Sequence, residues 1–564
     1  MTEPVRSDRF LYLLIAVVLI VLLFNSHLWV ITTGTEGAIA DISRDMLTQQ
    51  NFMHPRLLGV NDFSQLPVPL WLTSLGMKLW GVNPFGARFF IQLSIIAQVV
   101  FVDRIARRLF GSPQIGLFAG LIYLSCPLVL ACSRYLSADV FLTTLELGAI
   151  YCILLYHLEK LPAALYGLSV AVAMGLLCSG LPSLVLPLTM GVYVLAFGPR
   201  NYWIHWRHAL GAVAMGIVLV AIWFAHANDH VPNIWLFSRQ VFWQETLLGA
   251  PMHPRWQYVA SFLVGSLPWW IVVAPNLAAA PLWQNSNVLQ VAICWLLLPL
   301  GFYTLTGSVS LAGLLPLIAG FSILVSYLVH LLSEQYVGFY SRWFAQIYST
   351  LGIVALVVPL GYQLLGQPLK TTWPMAIMAL GTLFFVIVLY RSIRVRLRLV
   401  VMALVPSLML LLYAGYYVDA NGPWKESTNS VSKVIQQQRL DSLPVLVYNE
   451  TLPSLAFGLN KDIITIDDSI ARKTHFQTAQ TGRWLHLDSP SANRHLRRLM
   501  AAPSVMVIPG DLPTRWQWIK INYPNTEWVG RWQVLYRPRH GGVIEDDISQ
   551  NCAGTIRCVS LGGR

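Results

Sequence analysis

The chain has 564 residues, of which 55% are hydrophobic and only 11% charged. A soluble globular protein carries about 25% charged residues, so a soluble enzyme is excluded and a membrane protein is required. The formal net charge is +12, with 17 basic and 12 acidic residues from Ala420 onward, so the tail carries +5 and the remainder +7. That balance suits anionic lipid headgroups, while no basic run resembles a nucleic-acid-binding arm.

Apolar runs long enough to cross about 30 Å of hydrocarbon fall at about 10–31, 84–102, 113–132, 139–157, 162–178, 181–197, 208–226, 257–279, 287–304, 312–332, 343–365, 372–390 and 399–418. Backbone groups in lipid must be satisfied within the segment, which predicts helices. The first run is longer than a signal-peptide core and lacks a small-residue cleavage site, so it is expected to stay as a span. Arg6 and Arg9, then Arg104, Arg107 and Arg108, Lys160, Arg200 and Arg207, Arg342, and Arg391, Arg394, Arg396 and Arg398 occupy loops of one parity. Positive loops are cytoplasmic. The N-terminus is therefore expected inside, and an odd count of spans puts residues 420–564 outside.

Two outer loops are large, at about 32–83 and 227–256. The first predicts two interfacial helices, Glu36–Gln50 and Leu66–Trp80, lying on the membrane surface beside a lipid substrate. The tail alternates strand-like pieces (Val445–Tyr448, Ile463–Ile466, Val505–Ile508 and Gln533–Tyr536) with helix-like ones (Val431–Arg439 and Ala492–Met500). The expected architecture is a polytopic α-helical membrane domain over 1–419 with about 13 spans, followed by a soluble α/β domain over 420–564. Cys126, Cys132, Cys152, Cys178 and Cys294 belong to apolar spans as packing residues. Cys552 and Cys558 either form a small disulfide loop or stay as unpaired thiols.

Acids close to hydrocarbon mark a function or a pair. Glu36 opens the first outer loop, with Asp41 and Asp45 after it, and Asp139 sits at the outer mouth of the fourth span. Two carboxylates facing one cavity can deprotonate a hydroxyl, orient an amine or hold a cation. The bland alternatives are that Glu36 caps its helix, that Asp139 pairs with Arg134, and that Asp41 and Asp45 face water. Arg44, Arg56, Lys78, Arg88, Arg134, Arg239 and Arg255 are outer cations suited to a lipid phosphate or to headgroup anchoring. Arg56 and Arg255 follow Pro55 and Pro254, and His54 and His253 precede those prolines as weak metal or substrate candidates. Trp235, Phe242, Trp243, Trp256, Tyr258, Trp269 and Trp270 fit either sugar stacking or an interfacial aromatic belt. No phosphate-binding glycine loop, dinucleotide motif, metalloprotease helix or nucleophile elbow occurs.

In order along the chain, Thr35 through Leu47, His54-Pro55-Arg56-Leu57-Leu58-Gly59, Pro67 through Trp71-Leu72, and Gly81 through Arg88 resemble the first outer loop of the GT-C glycosyltransferases. The branch they resemble holds the lipid A aminoarabinose transferases and the protein O-mannosyltransferase-like enzymes. Arg134 through Asp139 resembles its second acidic site, and Gly265-Ser266-Leu267-Pro268-Trp269 its later Gly-x-x-Pro-Trp segment. The chain departs from that pattern at Thr35, where the branch has an acid, and at Ser64-Gln65-Leu66-Pro67, Ser179-Gly180 and Ser308-Val309-Ser310-Leu311, where it has lysines. The resemblance implies transfer of a sugar from an undecaprenyl-phosphate donor to a lipid A-like or other acceptor on the periplasmic face of the bacterial inner membrane, with inversion. Glu36 and Asp139 would be catalytic. Arg56, Arg134, Arg255, His54, Gln65 and Lys78 would hold substrate or phosphate, and no metal or other cofactor is expected. The alternatives are a non-catalytic protein of the same fold that binds lipid-linked sugar, and a transporter or flippase.

Overall fold

The structure is a computed structural model that describes residues 18–24, 26–62, 65–197, 205–228, 254–277, 286–307, 310–365, 372–392, 395–421, 428–467, 484–486 and 490–538. The chain divides into two compact units, one of residues 1–430 with 452–461, the other of residues 431–451 with 462–564. The first is helical. Among the described residues eight helices are long and apolar enough to span a membrane, and a bent pair makes a ninth. Four shorter apolar helices, Val18–Leu28, Pro113–Ser125, Ala163–Ser179 and Leu181–Val192, fall on the remaining expected runs.

In chain order the helices are α1 (Thr35–Gln49), α2 (Pro67–Trp80), α3 (Pro84–Phe110), α4 (Pro113–Ser125), α5 (Pro127–Cys132), α6 (Ala138–Glu159), α7 (Ala163–Ser179), α8 (Val185–Phe197), α9 (Trp206–Asn228), α10 (Arg255–Gly265), α11 (Trp270–Asn276), α12 (Leu298–Thr306), α13 (Leu315–Leu331), α14 (Glu334–Leu364), α15 (Trp373–Ser392) and α16 (Val395–Ala420). Several starts are written locally. Proline occupies the first turn of α2, α3, α4 and α5, where its missing N–H costs nothing. Asn83 caps α3 by accepting from Gly86 N at 2.8 Å, and Ser137 caps α6 by accepting from Asp139 N at 3.2 Å. The α2–α3 corner is tight because Gly76 and Gly86 lack side chains. A Cβ on Gly76 would stand 2.3 Å from the Gly86 carbonyl oxygen.

Helices α10 and α11 meet at 102°. The segment Gly265 through Trp269 forms this bend, and Trp269, fully buried, donates from Nε1 to Ser125 Oγ at 2.9 Å. A tryptophan N–H inside the bundle needs such a partner, which pins the bend onto α4.

The expected surface helices both form, but α1 is not a surface helix. Ten of its residues are buried, among them Glu36, Asp41, Arg44 and Asp45. It packs against α2, against β1 (Arg56–Leu57), which pairs with β2 (Val60–Asn61), and against the short helix Pro453–Leu459. That last helix lies in the expected tail, yet it joins the membrane unit. A Cβ on Gly37 would meet Ser454 N at 3.1 Å, and Ser454 Oγ lies 2.9 Å from Thr428 Oγ1.

The second unit is α/β. Its helices Asn429–Gln437 and Pro490–Ala501 accompany a six-stranded sheet of β3 (Val445–Tyr448), β4 (Ile464–Asp467), β5 (Trp484–His486), β6 (Ser504–Pro509), β7 (Asn525–Val529) and β8 (Trp532–Arg537). The order is β5-β4-β3-β6-β8-β7, parallel from β5 to β6 and antiparallel at β8 and β7. β3 and β6 are buried along almost their whole length, as central parallel strands are. β5 and β7 escape the sequence pattern because a three-residue strand has no period and β7 is half solvated at the edge.

Candidate active site

The carboxylate of Glu36 is fully buried and accepts five hydrogen bonds. Oε1 takes Arg88 Nε at 3.0 Å, Arg88 Nη2 at 2.6 Å and Leu136 N at 2.9 Å. Oε2 takes Thr32 N at 2.9 Å and Thr32 Oγ1 at 2.8 Å. Arg88, 1% exposed, also donates to the carbonyls of Trp29 and Val30. The two side chains therefore lock four segments together: residues 29–32, α1, α3 and the 133–137 turn. A carboxylate with both oxygens saturated and a guanidinium fixed beside it has no lone pair to offer a substrate. Every hydrogen bond that Glu36 makes thus ties these segments together, and among the described residues neither of its oxygens is left open.

Asp139 is the opposite case. It stands at the start of α6, half-buried. Ser137 Oγ at 3.2 Å and Ser310 Oγ both bond its Oδ2. No hydrogen bond falls on Oδ1 among the described residues. Because Leu136 N is bonded to Glu36, the two acids expected to share one end of the bundle do so, and Asp139 is the one left available. Ser310, at a position where the resembled branch has a lysine-bearing segment, instead steadies Asp139.

The expected phosphate ligands mostly serve other groups. Arg134 is 2% exposed and donates from Nη1 to Leu22 O at 2.6 Å and from Nη2 to Phe24 O at 3.3 Å and Val21 O at 3.4 Å. It closes the carbonyl end of the helix Val18–Leu28 rather than pairing with Asp139. Burial, with Arg88 nearby, pulls its pKa down to about 9. Arg56 is held by Asp45, at 2.9 Å from Nε to Oδ2 and 3.4 Å from Nη2 to Oδ1. Arg44 and Asp41 pair at 2.9 Å, and Leu58 N adds a bond to Asp41 at 3.3 Å. Burial outweighs these contacts and raises Asp41 to about 6. Asp41 and Asp45 are thus buried and paired rather than solvated.

His54 lies against His226 of α9, with ring centroids 5.1 Å apart. Gln65 is half-buried just before α2. Lys78 is exposed in the last turn of α2 beside exposed Leu75, Leu79 and Trp80, the setting of an interfacial anchor. Arg255 opens α10 and is exposed. One turn on, Tyr258 donates to Gly307 O at 2.9 Å, three residues before Ser310. That chain of contacts ties α10 to the neighbourhood of Asp139. Arg239, His253, Trp235, Phe242, Trp243, Cys552 and Cys558 lie outside the described residues. Among the described residues no three His, Cys, Asp or Glu side chains converge as a metal-binding group.

Sequence inspection did not single out Glu146. It lies seven residues from Asp139, hence two turns along the same face of α6, and is 2% exposed. Neither of its carboxyl oxygens has a hydrogen-bond partner among the described residues. The signal available was an acid in the middle of an apolar run.

This architecture resembles that of known membrane proteins, in sequence and in fold. Residues 64–225 match the family described as dolichyl-phosphate-mannose-protein mannosyltransferase. Among curated proteins, the chain is 25% identical over 354 residues to undecaprenyl phosphate-alpha-4-amino-4-deoxy-L-arabinose arabinosyl transferase 1 of Pseudomonas fluorescens (strain Pf0-1), covering 60% of this chain and 61% of that one. It is 28% identical over 304 residues to the corresponding transferase of Pseudomonas aeruginosa (strain UCBPP-PA14), covering 50% and 52%. The matches span about half to three-fifths of those relatives' length. In fold, the chain superposes on ArnT from Cupriavidus metallidurans in the apo state with a TM-score of 0.73 at 18% identity, covering 94% of this chain and 98% of that one. The undecaprenyl phosphate-bound form of that protein gives 0.71 at 18%, covering 93% and 97%. The resemblance drawn from the sequence motifs thus extends to the fold of nearly the whole chain.

Proposed function

We propose that the protein transfers a sugar from an undecaprenyl-phosphate donor to a lipid A-like or other acceptor at the periplasmic face of the bacterial inner membrane, with its N-terminus in the cytoplasm. The observation that carries this reading is Asp139, a carboxylate at the mouth of a span with one oxygen unbonded among the described residues. Every other described acid in the Glu36–Asp62 stretch that the site draws on is engaged. Asp139 takes the proton from the acceptor hydroxyl as that oxygen attacks the anomeric carbon. The bond from that carbon to the phosphate oxygen breaks on the opposite side, and its electron pair leaves with the lipid phosphate. One displacement inverts the anomeric centre. Arg255, at the first residue of α10, faces the departing phosphate with the positive end of the helix dipole behind it. The acids that would ligate a divalent metal in α1 are saturated by Arg88, Arg44 and Arg56, so the reaction is proposed to run without one, and chelation leaves turnover unchanged.

The test is the protein in nanodiscs with undecaprenyl-phosphate sugar. Asp139→Asn lowers transfer by about 10²–10⁴-fold, the usual worth of a positioned base, while the unfolding temperature stays within a few degrees. Wild-type turnover by that variant removes the assignment. Thr35, where the resembled branch has an acid, and the locked Glu36 favour the second reading, a non-catalytic binder of lipid-linked sugar. Covalent product from the wild-type protein eliminates it.

A further inference from the structure

Among the described residues, α9 is the least buried of the eight long spans, and it packs chiefly against α7. The two helices run side by side in the same direction: Tyr166 meets His208, and Ser169 Oγ donates to Ala212 O. Between them lies an apolar cavity of about 560 Å³, lined from Leu165 to Leu176 on α7 and from Ala209 to Ala221 on α9. Val213 and Ile217 line it and are 58% and 63% exposed, so it opens towards lipid rather than into the bundle. At 1.5 Å per residue the lined stretch is about 16 Å long. That is close to half of a bilayer's roughly 30 Å of hydrocarbon, the reach of one leaflet's chains. An empty apolar gap forfeits its dispersion contacts, and in a bilayer the filler at hand is hydrocarbon.

The end of this groove sets it apart from an ordinary lipid-facing surface. Next to Leu165 and Ala209, Tyr166 Oη lies 3.4 Å from His208 Nδ1. The His205 ring centroid is 6.1 Å from that of His208 and 6.0 Å from that of Tyr156. Lys160 Nζ stands 5.7 Å from the centre of the same Tyr156 ring. Nδ1 of His205 is buried and has no hydrogen-bond partner among the described residues. From Tyr151 to Asn228 the sequence has one acid, Glu159, against Lys160, Arg200 and Arg207. Glu159 pairs with Arg108 of α3 at 3.2 Å, so this end of the groove is positive.

We propose that the groove is a binding site for an anionic phospholipid of the leaflet on the arginine-rich side of the membrane. One acyl chain fills the cavity between α7 and α9, and the phosphate lies against Lys160, His205 and His208. Basic pockets between spans hold such headgroups, and a phosphate oxygen gives an N–H at His205 Nδ1 its acceptor. A zwitterionic headgroup brings its own cation to the same cluster, which opposes it, so the site selects net negative charge. The proposal stands on this end of the molecule alone and does not rest on the transferase reading.

The experiment is native mass spectrometry of the full chain in mild detergent, titrated with phosphatidylglycerol, phosphatidylethanolamine or undecaprenyl phosphate. One phosphatidylglycerol is expected to bind about tenfold more tightly than phosphatidylethanolamine. Lys160→Asn suits the left-handed backbone at that position, φ 53°, and is expected to weaken phosphatidylglycerol about fivefold, the worth of one lysine at an anionic headgroup. His208→Gln is expected to weaken it in the same direction. Val213→Trp fills the groove from its exposed side and should remove the tight site. All three variants should keep the wild-type unfolding temperature and the wild-type Kd for undecaprenyl phosphate. Equal affinity for the two phospholipids overturns the proposal, as does an unchanged phosphatidylglycerol affinity in both Lys160→Asn and His208→Gln. Undecaprenyl phosphate weakened in step with phosphatidylglycerol assigns the groove to a polyprenyl phosphate and overturns it too. So does a dimer that Val213→Trp dissociates while phosphatidylglycerol stays bound, since the occupant is then a second copy.

Discussion

Helices α1 and α6 both bury acids, and they treat them in opposite ways. In α1 and the strand that follows, Glu36, Asp41 and Asp45 each have an arginine within 2.9 Å. In α6, Asp139 has only serine hydroxyls, and Glu146 has no partner among the described residues. Taking a charge out of water is costly unless it is paired. The paired set is therefore architecture that fixes where the outer segments lie. The unpaired set is tolerated at a cost to stability, as functional groups within membranes are.

That contrast can be broken at its strongest point first. Arg88→Met leaves Glu36 buried with its cation gone, and is expected to cost about 3–5 kcal/mol, seen as a large drop in unfolding temperature or as failure to accumulate. An Arg88→Met protein as stable as wild type would show that the node is not an anchor. On the other side, Glu146→Leu removes an unsatisfied carboxyl without leaving a cavity. It is expected to stabilise by about 1–3 kcal/mol, read as a raised unfolding temperature in detergent. If stability falls instead, Glu146 has a polar partner and belongs with the paired acids. The smallest effect is at the rim. Arg56, with 29% of its side chain exposed, forms a pair worth about 0–1 kcal/mol. Arg56→Ala should move the unfolding temperature little and leave donor binding unchanged. A tenfold weaker Kd for undecaprenyl phosphate would restore Arg56 as a phosphate ligand.

Much of the fold was legible along the chain. Continuous apolar runs, prolines at helix starts, and a strand–helix alternation in the tail are local patterns, and each landed on the matching element. The misplacements share one cause. Val18–Leu28 needs Arg134, more than 100 residues away, to close its carbonyls. The helix Pro453–Leu459 leaves its neighbours in the tail for a contact with Gly37. Neither partnership leaves a periodic mark. The site was half legible in the same sense: the sequence shows Glu36 and Asp139 as acids beside hydrocarbon, but not that Arg88 would hold one while serine hydroxyls alone face the other among the described residues. An acid looks the same in a sequence whether an arginine 52 residues on will reach it or not.

By itself, then, the sequence determined that this is a many-spanned helical protein with an α/β tail and that acids stand beside hydrocarbon near residues 36 and 139, because hydropathy, capping and acid placement are properties of short windows. Only the tertiary structure decided which charges neutralise one another, and so which carboxylate is left without a cation among the described residues. Pairing depends on three-dimensional distance and desolvation, and these are set by how α1, α3 and the 133–137 turn come together rather than by what any one of them contains.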